Sequence, residues 1–168
     1  LIPGRDYQFV VWADVVTGEN AGDNHYNTTN LENITLNPST WVAMDETRDA
    51  FTGVYCTVAE GKQYTGTSSI NILLKRPFAK LRVITTDMEQ LNDLGIEPTT
   101  ATVEYTVPHY NAFNAFAGKV IGDSKNRNIK HENFDIKAYT DNVDDKSKVL
   151  FTDYFFAADQ EEVVNFNL

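Results

Sequence analysis

A chain of 168 residues makes one fair-sized domain or two small ones and can bury roughly 70% of its unfolded surface. Its net charge of −10 argues against nucleic acid and against an anionic membrane surface, both of which call for clustered Lys and Arg. A single cysteine, Cys56, rules out an intrachain disulfide or a multi-cysteine metal site, and no apolar run approaches the ~20 residues of a membrane span.

The first segment, Tyr7 to Val16, is apolar on both faces, with Tyr7, Phe9 and Val11 against Val10, Trp12 and Val16. That pattern predicts a central strand covered on both sides. A Gly- and Asn-rich loop, Thr17 to His25, follows, then a short strand over Leu31, Ile34 and Leu36 that Asn37-Pro38 stops. Asp45 to Asp49 has room for one helical turn. Phe51 to Val58 reads as a strand in which Cys56 lies in phase with Val54 and Val58, as a buried and inert thiol. Glu60-Gly61-Lys62 turns the chain.

From Ser69 the apolar side chains fall on even positions (Ile70, Ile72, Leu74), and after Pro77 on odd ones (Ala79, Leu81, Val83). A strand alternates its side chains between two faces, so this change of phase turns the chain over. Pro77 sits at the change and donates no ladder hydrogen bond, which restricts it to edges, strand starts or bulges. The expectation is two strands, Ser69–Leu74 and Phe78–Thr85, that feed two sandwich units: residues 1–75 and residues 76–168. In the second strand Lys80 and Arg82 share a solvated face opposite Leu81.

One helix is predicted over Asp87–Leu94. Thr86 and Glu89 form a capping box, Met88, Leu91 and Leu94 give an apolar stripe, and Gly95 with Pro98 stops it. Thr100 to Val107 alternates as a half-buried strand with Val103, Tyr105 and Val107 inward. Tyr110 to Gly118 spaces its aromatics by three, which suits a tight turn or an irregular strand. Asn133–Tyr139 and Val149–Ala158 are further strands, joined by an acidic turn at 141–146. Eight or more short strands against one helix predict a mainly-β antiparallel sandwich, and no 20–50-residue repeat suggests a solenoid or propeller.

The candidate chemistry is sparse. His25, His109 and His131 stand far apart in or beside polar segments and read as surface histidines. The acidic turn resembles a calcium loop in composition, but Lys146 and Thr152 stand where glycine and the closing glutamate belong. No nucleophile elbow, zinc-helix motif or phosphate-cradling glycine loop occurs. Adjacent carboxylates such as Asp144 and Asp145, or Glu161 and Glu162, would point to opposite faces of a strand. Catalysis, a cofactor and a bound metal are therefore not expected. Trp12 belongs in a core, whereas Trp41, after a Pro-Ser-Thr turn, is the better platform for stacking a sugar, with Tyr110 and Phe113 beside it as possible ligand contacts. The chain opens without an initiator Met or a signal peptide, and its last residues, Val163 to Leu168, stop in mid-strand. Both ends suit a fragment of a longer precursor.

Three segments, Tyr7-Gln-Phe-Val-Val-Trp-Ala-Asp14, Arg48-Asp-Ala-Phe51, and Leu74-Lys-Arg-Pro-Phe-Ala-Lys-Leu81 running on to Thr86-Asp87, together resemble the fimbrillin-like surface proteins of Bacteroidales, relatives of type V pilins. The resemblance implies two transthyretin-like β-sandwiches and export as a lipoprotein to the outer membrane and cell surface. It also implies a role as a fimbria or pilus subunit or in cell adhesion, with other pilin-like subunits or surface ligands as partners. Subunits of this kind assemble when a groove opened by loss of an N-terminal strand accepts a strand from a neighbour, which is β-augmentation. The leading strand and closing hairpin of that pattern would lie outside this fragment. The alternative from a different class is a monomeric surface module that binds glycans through exposed aromatics.

Overall fold

The computed structural model describes residues 1–16, 25–57, 64–66, 69–122, 125–126, 129–138 and 147–168. The loop at 17–24, the turn at 60–62 and the acidic turn at 141–146 lie outside the described residues. The strands, in chain order, begin with β1 (Gln8–Asp14), β2 (Tyr26–Asn27), β3 (Ile34–Leu36), β4 (Ala50–Cys56) and β5 (Phe78–Thr85). Helix α1 (Met88–Asp93) leads to β6 (Thr100–Tyr105), β7 (His109–Tyr110), β8 (Ala112–Asn114), β9 (Lys119–Val120) and β10 (Lys125–Asn126). The chain closes with β11 (Lys130–Asp135), β12 (Lys137–Ala138), β13 (Lys148–Phe156) and β14 (Phe166–Asn167). All named pairings are antiparallel, in sheets ordered β1-β4, β10-β7, β11-β6-β14, β12-β13-β5 and β2-β3-β8-β9. The molecule is a mainly-β antiparallel sandwich with one short helix among the described residues.

The centre of the fold is β13, not β1. Successive side chains of a strand point to opposite faces, and β13 is covered on both. Phe151 and Phe155 lie edge-on to Tyr105 of β6. On the other face Phe156 stacks on Phe78 and Phe113, with Tyr26 alongside. β1 is apolar on both faces too, but among the described residues it has only β4 as a neighbour, and none of its side chains is fully buried. A hydrophobic pattern cannot tell which of two such strands has sheet on both sides.

The two-unit expectation does not survive the topology. Sheet β2-β3-β8-β9 takes strands from both sides of the 75/76 boundary. One continuous core runs from Tyr26 and Trp41 to Phe113 and Phe156, with Val10 and Trp12 packed against it. Nor does Ser69–Leu74 form a strand. Only Lys75 pairs, exchanging two backbone bonds of 2.8 Å with Thr52 of β4. Gly53 is the physical reason: a Cβ there would lie 2.7 Å from the Leu73 carbonyl and from an Ile72 methyl. Residues 72–74 therefore fold over the bare backbone of Gly53 instead of lying beside β4. Pro77 stands just before β5, a position that suits a residue with no N–H.

Beyond Pro77 the expected phase holds in part: Leu81 and Val83 pack toward the core with Lys80 and Arg82 on the other face, but Ala79 is exposed and Phe78, of the Lys80 parity, is buried. β6 buries Val103 and Tyr105 as its alternation predicts. Helix α1 departs at its start: Thr86 and Glu89 make no capping box, and Thr85 bonds the side chain of Asp87 instead. It ends as expected. Gly95 has φ +73°, and the Gly95 and Ile96 N–H groups close back on Asn92 and Leu91, a Schellman stop. Cys56 is half-buried, not enclosed.

Gly53→Ala should force residues 72–74 off β4 and lower stability by about 1–3 kcal/mol, as overpacking does. Calorimetry should show one transition for both proteins, because the core is shared. Two resolved transitions in the wild type would contradict that shared core.

Candidate functional site

An aspartate in the strand Val149–Phe156, otherwise rich in Phe and Tyr, must find partners, because an isolated buried carboxylate is prohibitively costly. Asp153 is 0% exposed and finds five. Its Oδ1 accepts from Arg48 Nη1 at 2.6 Å, Trp41 Nε1 at 2.9 Å and the Tyr154 N–H at 2.8 Å. Its Oδ2 lies 3.0 Å from both Tyr105 OH and His131 Nε2. A carboxylate only accepts, so His131 carries its proton on Nε2. Burial alone would push the Asp153 carboxyl up, but the His131 bond and the Arg48 charge outweigh it and hold it below the ordinary value. Burial, with Asp153 adjacent, pushes the Tyr105 phenol well above its usual range. Nothing in this cluster reaches solvent, and its acceptors are already in use, so it is a structural ion pair that joins β13 to β6, β11 and the 3₁₀ turn Glu46–Arg48.

The segment Arg48–Phe51 fans out from that pair. Arg48, 1% exposed, also lies over the Trp41 ring at 5.0 Å, and Tyr26 OH donates to its carbonyl. Asp49 holds the guanidinium of Arg76 in a fork of 2.8–3.0 Å. Arg76 sits 4.8 Å over the ring of Phe51. Asp14 pairs across to Ala50. The three segments that carry the family resemblance thus meet in space around β4 and the Arg76–Pro77 junction. Nearby, Glu46 joins Lys80, Arg82 and Tyr154. Burial would raise Glu46, but these bonds hold its carboxyl below the ordinary value.

At the same junction lies an open groove of about 560 Å³. β4 contributes Thr52, Gly53 and Val54, the junction contributes Leu73 and Lys75 to Pro77, and the turn after β8 contributes Phe116 to Gly118. Leu73 is 76% exposed and Phe116 39%, so apolar surface faces water there. Exposed apolar side chains at a concave surface are a feature that contact sites share.

The sequence-predicted contacts fall elsewhere. Trp41 is 7% exposed, with its N–H committed to Asp153 and its face covered by Arg48, and Tyr110 and Phe113 are buried in the core. A ring enclosed in this way presents no stacking face. Of the aromatics in that segment, Phe113 lines the groove from its buried floor and Phe116 stands half-open at it. The three histidines, read as surface residues, are all buried. His25 bonds Thr47 at 2.9 Å, and His109 packs 4.4 Å from the Phe155 ring. They are core polar residues: His25 Nε2 lies against Thr47 and Asp45 and His131 Nε2 against Asp153, a use that sequence spacing does not reveal. Among the described residues, no cluster of three or more His, Cys, Asp or Glu is placed to hold a metal.

Fold and site together define an antiparallel β-sandwich closed around a buried ion pair, with an open groove of mixed polarity beside a strand that is incompletely paired among the described residues. The chain belongs to the family of unknown function DUF6562, which matches it over residues 1–168. No curated protein and no solved structure matches it.

Removing one partner of a buried pair leaves the other charge uncompensated. Asp153→Asn should therefore cost about 3–5 kcal/mol in chemical denaturation, and Arg48→Met about as much. The folded carboxyl titrates below its unfolded value, so the stability it contributes is present above about pH 4 and is lost as pH falls through the folded value. Wild-type stability should drop on acidification below pH 4 more steeply than that of Asp153→Asn. Equal slopes would place the charge elsewhere.

Proposed function

We propose that this chain is a structural or adhesive module of the cell surface, resembling a fimbrial subunit, that assembles or anchors by β-strand exchange and carries out no catalysis. The observation behind it is a set of unfinished sheet edges. β1 runs seven residues with β4 alone beside it, and β5 runs eight with β13 alone, among the described residues. An uncovered edge presents a row of N–H and C=O groups that another strand can complete. Export as a lipoprotein to the outer membrane belongs to the same reading, and the resemblance of the three segments supports it. Partners would be other subunits of this kind or ligands on a host or bacterial surface.

A glycan-binding module remains as a second reading, because Phe116 lies half-open in the groove. It would use Phe116, not the enclosed Trp41, Tyr110 or Phe113, and a Phe116→Ala variant that leaves glycan-array signals unchanged would remove it. For the first reading, the full-length precursor cleaved near its N-terminus should form oligomers in analytical ultracentrifugation. A product that stays monomeric at every concentration and salt would end that reading.

A further inference from the structure

We propose that the outer edge of β4 at Val54 accepts an extended acidic peptide segment as an added antiparallel strand. The proposal rests on the strand-exchange reading and specifies where the strand enters and what it carries.

The argument is one of parity. Alternate residues of an antiparallel strand turn their N–H and C=O to the same side. Thr57 donates to Tyr7 at 3.0 Å, so in the regular β1–β4 register it is Tyr55, Gly53 and Phe51 that bond β1. Thr52, Val54 and Cys56 therefore face the opposite way. Thr52 is satisfied there by Lys75. In the continuing register Leu73 would meet Val54, but its carbonyl is lodged over Gly53. No backbone group among the described residues completes Val54 on that side, and the groove opens there, lined by Val54, Leu73 and Phe116.

The occupant follows from what borders this edge. Unpaired backbone groups select an extended chain, and Val54, Leu73 and Phe116 select apolar side chains on it. A strand antiparallel to β4 must stop at the Thr52–Lys75 bridge, so its C-terminal end meets Lys75. In a chain of net charge −10, Lys75 has no carboxylate partner among the described residues. A carboxylate at that end of the strand supplies one. Asp159 on the groove lining disfavours a second carboxylate farther along.

The test uses the peptide acetyl-Thr-Val-Ser-Val-Glu with a free C-terminus, titrated into wild type, Val54→Pro and Lys75→Glu by fluorescence anisotropy. Proline is tolerated where the N–H faces outward from an edge, so Val54→Pro should keep the wild-type thermal midpoint and weaken binding at least tenfold. Lys75→Glu should weaken it severalfold, and an amidated Gln version of the peptide should lose that dependence on residue 75. In case Val54→Pro folds poorly, amide exchange on the wild type is a second measurement: peptide should slow exchange at Val54. Unchanged binding by a folded Val54→Pro, or unchanged exchange at Val54, overturns the site. Precursor assembly that persists in Val54→Pro also overturns it while leaving strand exchange intact. Peptide binding lost in Val54→Pro, with a precursor that never assembles, upholds the site and removes the exchange reading.

Discussion

The fold depends on one carboxylate. Asp153 sits in the central strand with no exposure to solvent, and the cost of burying it is offset only when Arg48, His131, Tyr105 and Trp41 all arrive. Those partners come from the segment before β4, from β11, from β6 and from the stretch after β3. A group that needs four distant partners at once acts as a register pin: it rejects pairings in which any one strand slips. Replacing such a pair with hydrophobic residues is often neutral or stabilising, so the contribution of this one lies in specifying a single arrangement.

Arg48 transmits that constraint to the surface. With its side chain held in the core, the next residues are fixed in direction: Asp49 takes Arg76, and Phe51 lies under it. The junction before Pro77 is thereby tied to β4, and Gly53 lets residues 72–74 cross over the strand. The groove and the open stretch at Val54 follow from that crossing. A side chain at position 53 would push the segment aside and change the shape of the site.

Much of the architecture was legible in the sequence. Alternation located β6, the strand that follows Pro77 was found, and Gly95 stopped the helix. What failed did so for identifiable reasons. β1 and β13 carry the same two-sided apolar pattern, and only tertiary pairing decides which is central. Residues 69–74 have strand-like alternation, but the missing side chain of Gly53, far off in sequence, draws them out of the sheet. The site was harder to read. Trp41 after a turn looked exposed because its partners, Asp153 and Arg48, lie at other points of the chain. Asp153 was detectable, since an acid among Phe151, Tyr154, Phe155 and Phe156 must be paired, but nothing in the sequence pointed to Arg48, 105 residues away, as its mate.

The central claim is that one buried ion pair makes the two halves of the chain a single cooperative unit and leaves an edge open at Val54. Native-state amide hydrogen exchange, followed residue by residue, tests it directly. Amides of β6 and β13 bonded within their sheets, together with those of Gly53 and Tyr55 in β4, should exchange with one common free energy equal to that of global unfolding, while the Val54 amide exchanges quickly. Exchange of β4 at a distinctly lower free energy than β13, or strong protection at Val54, would contradict the account.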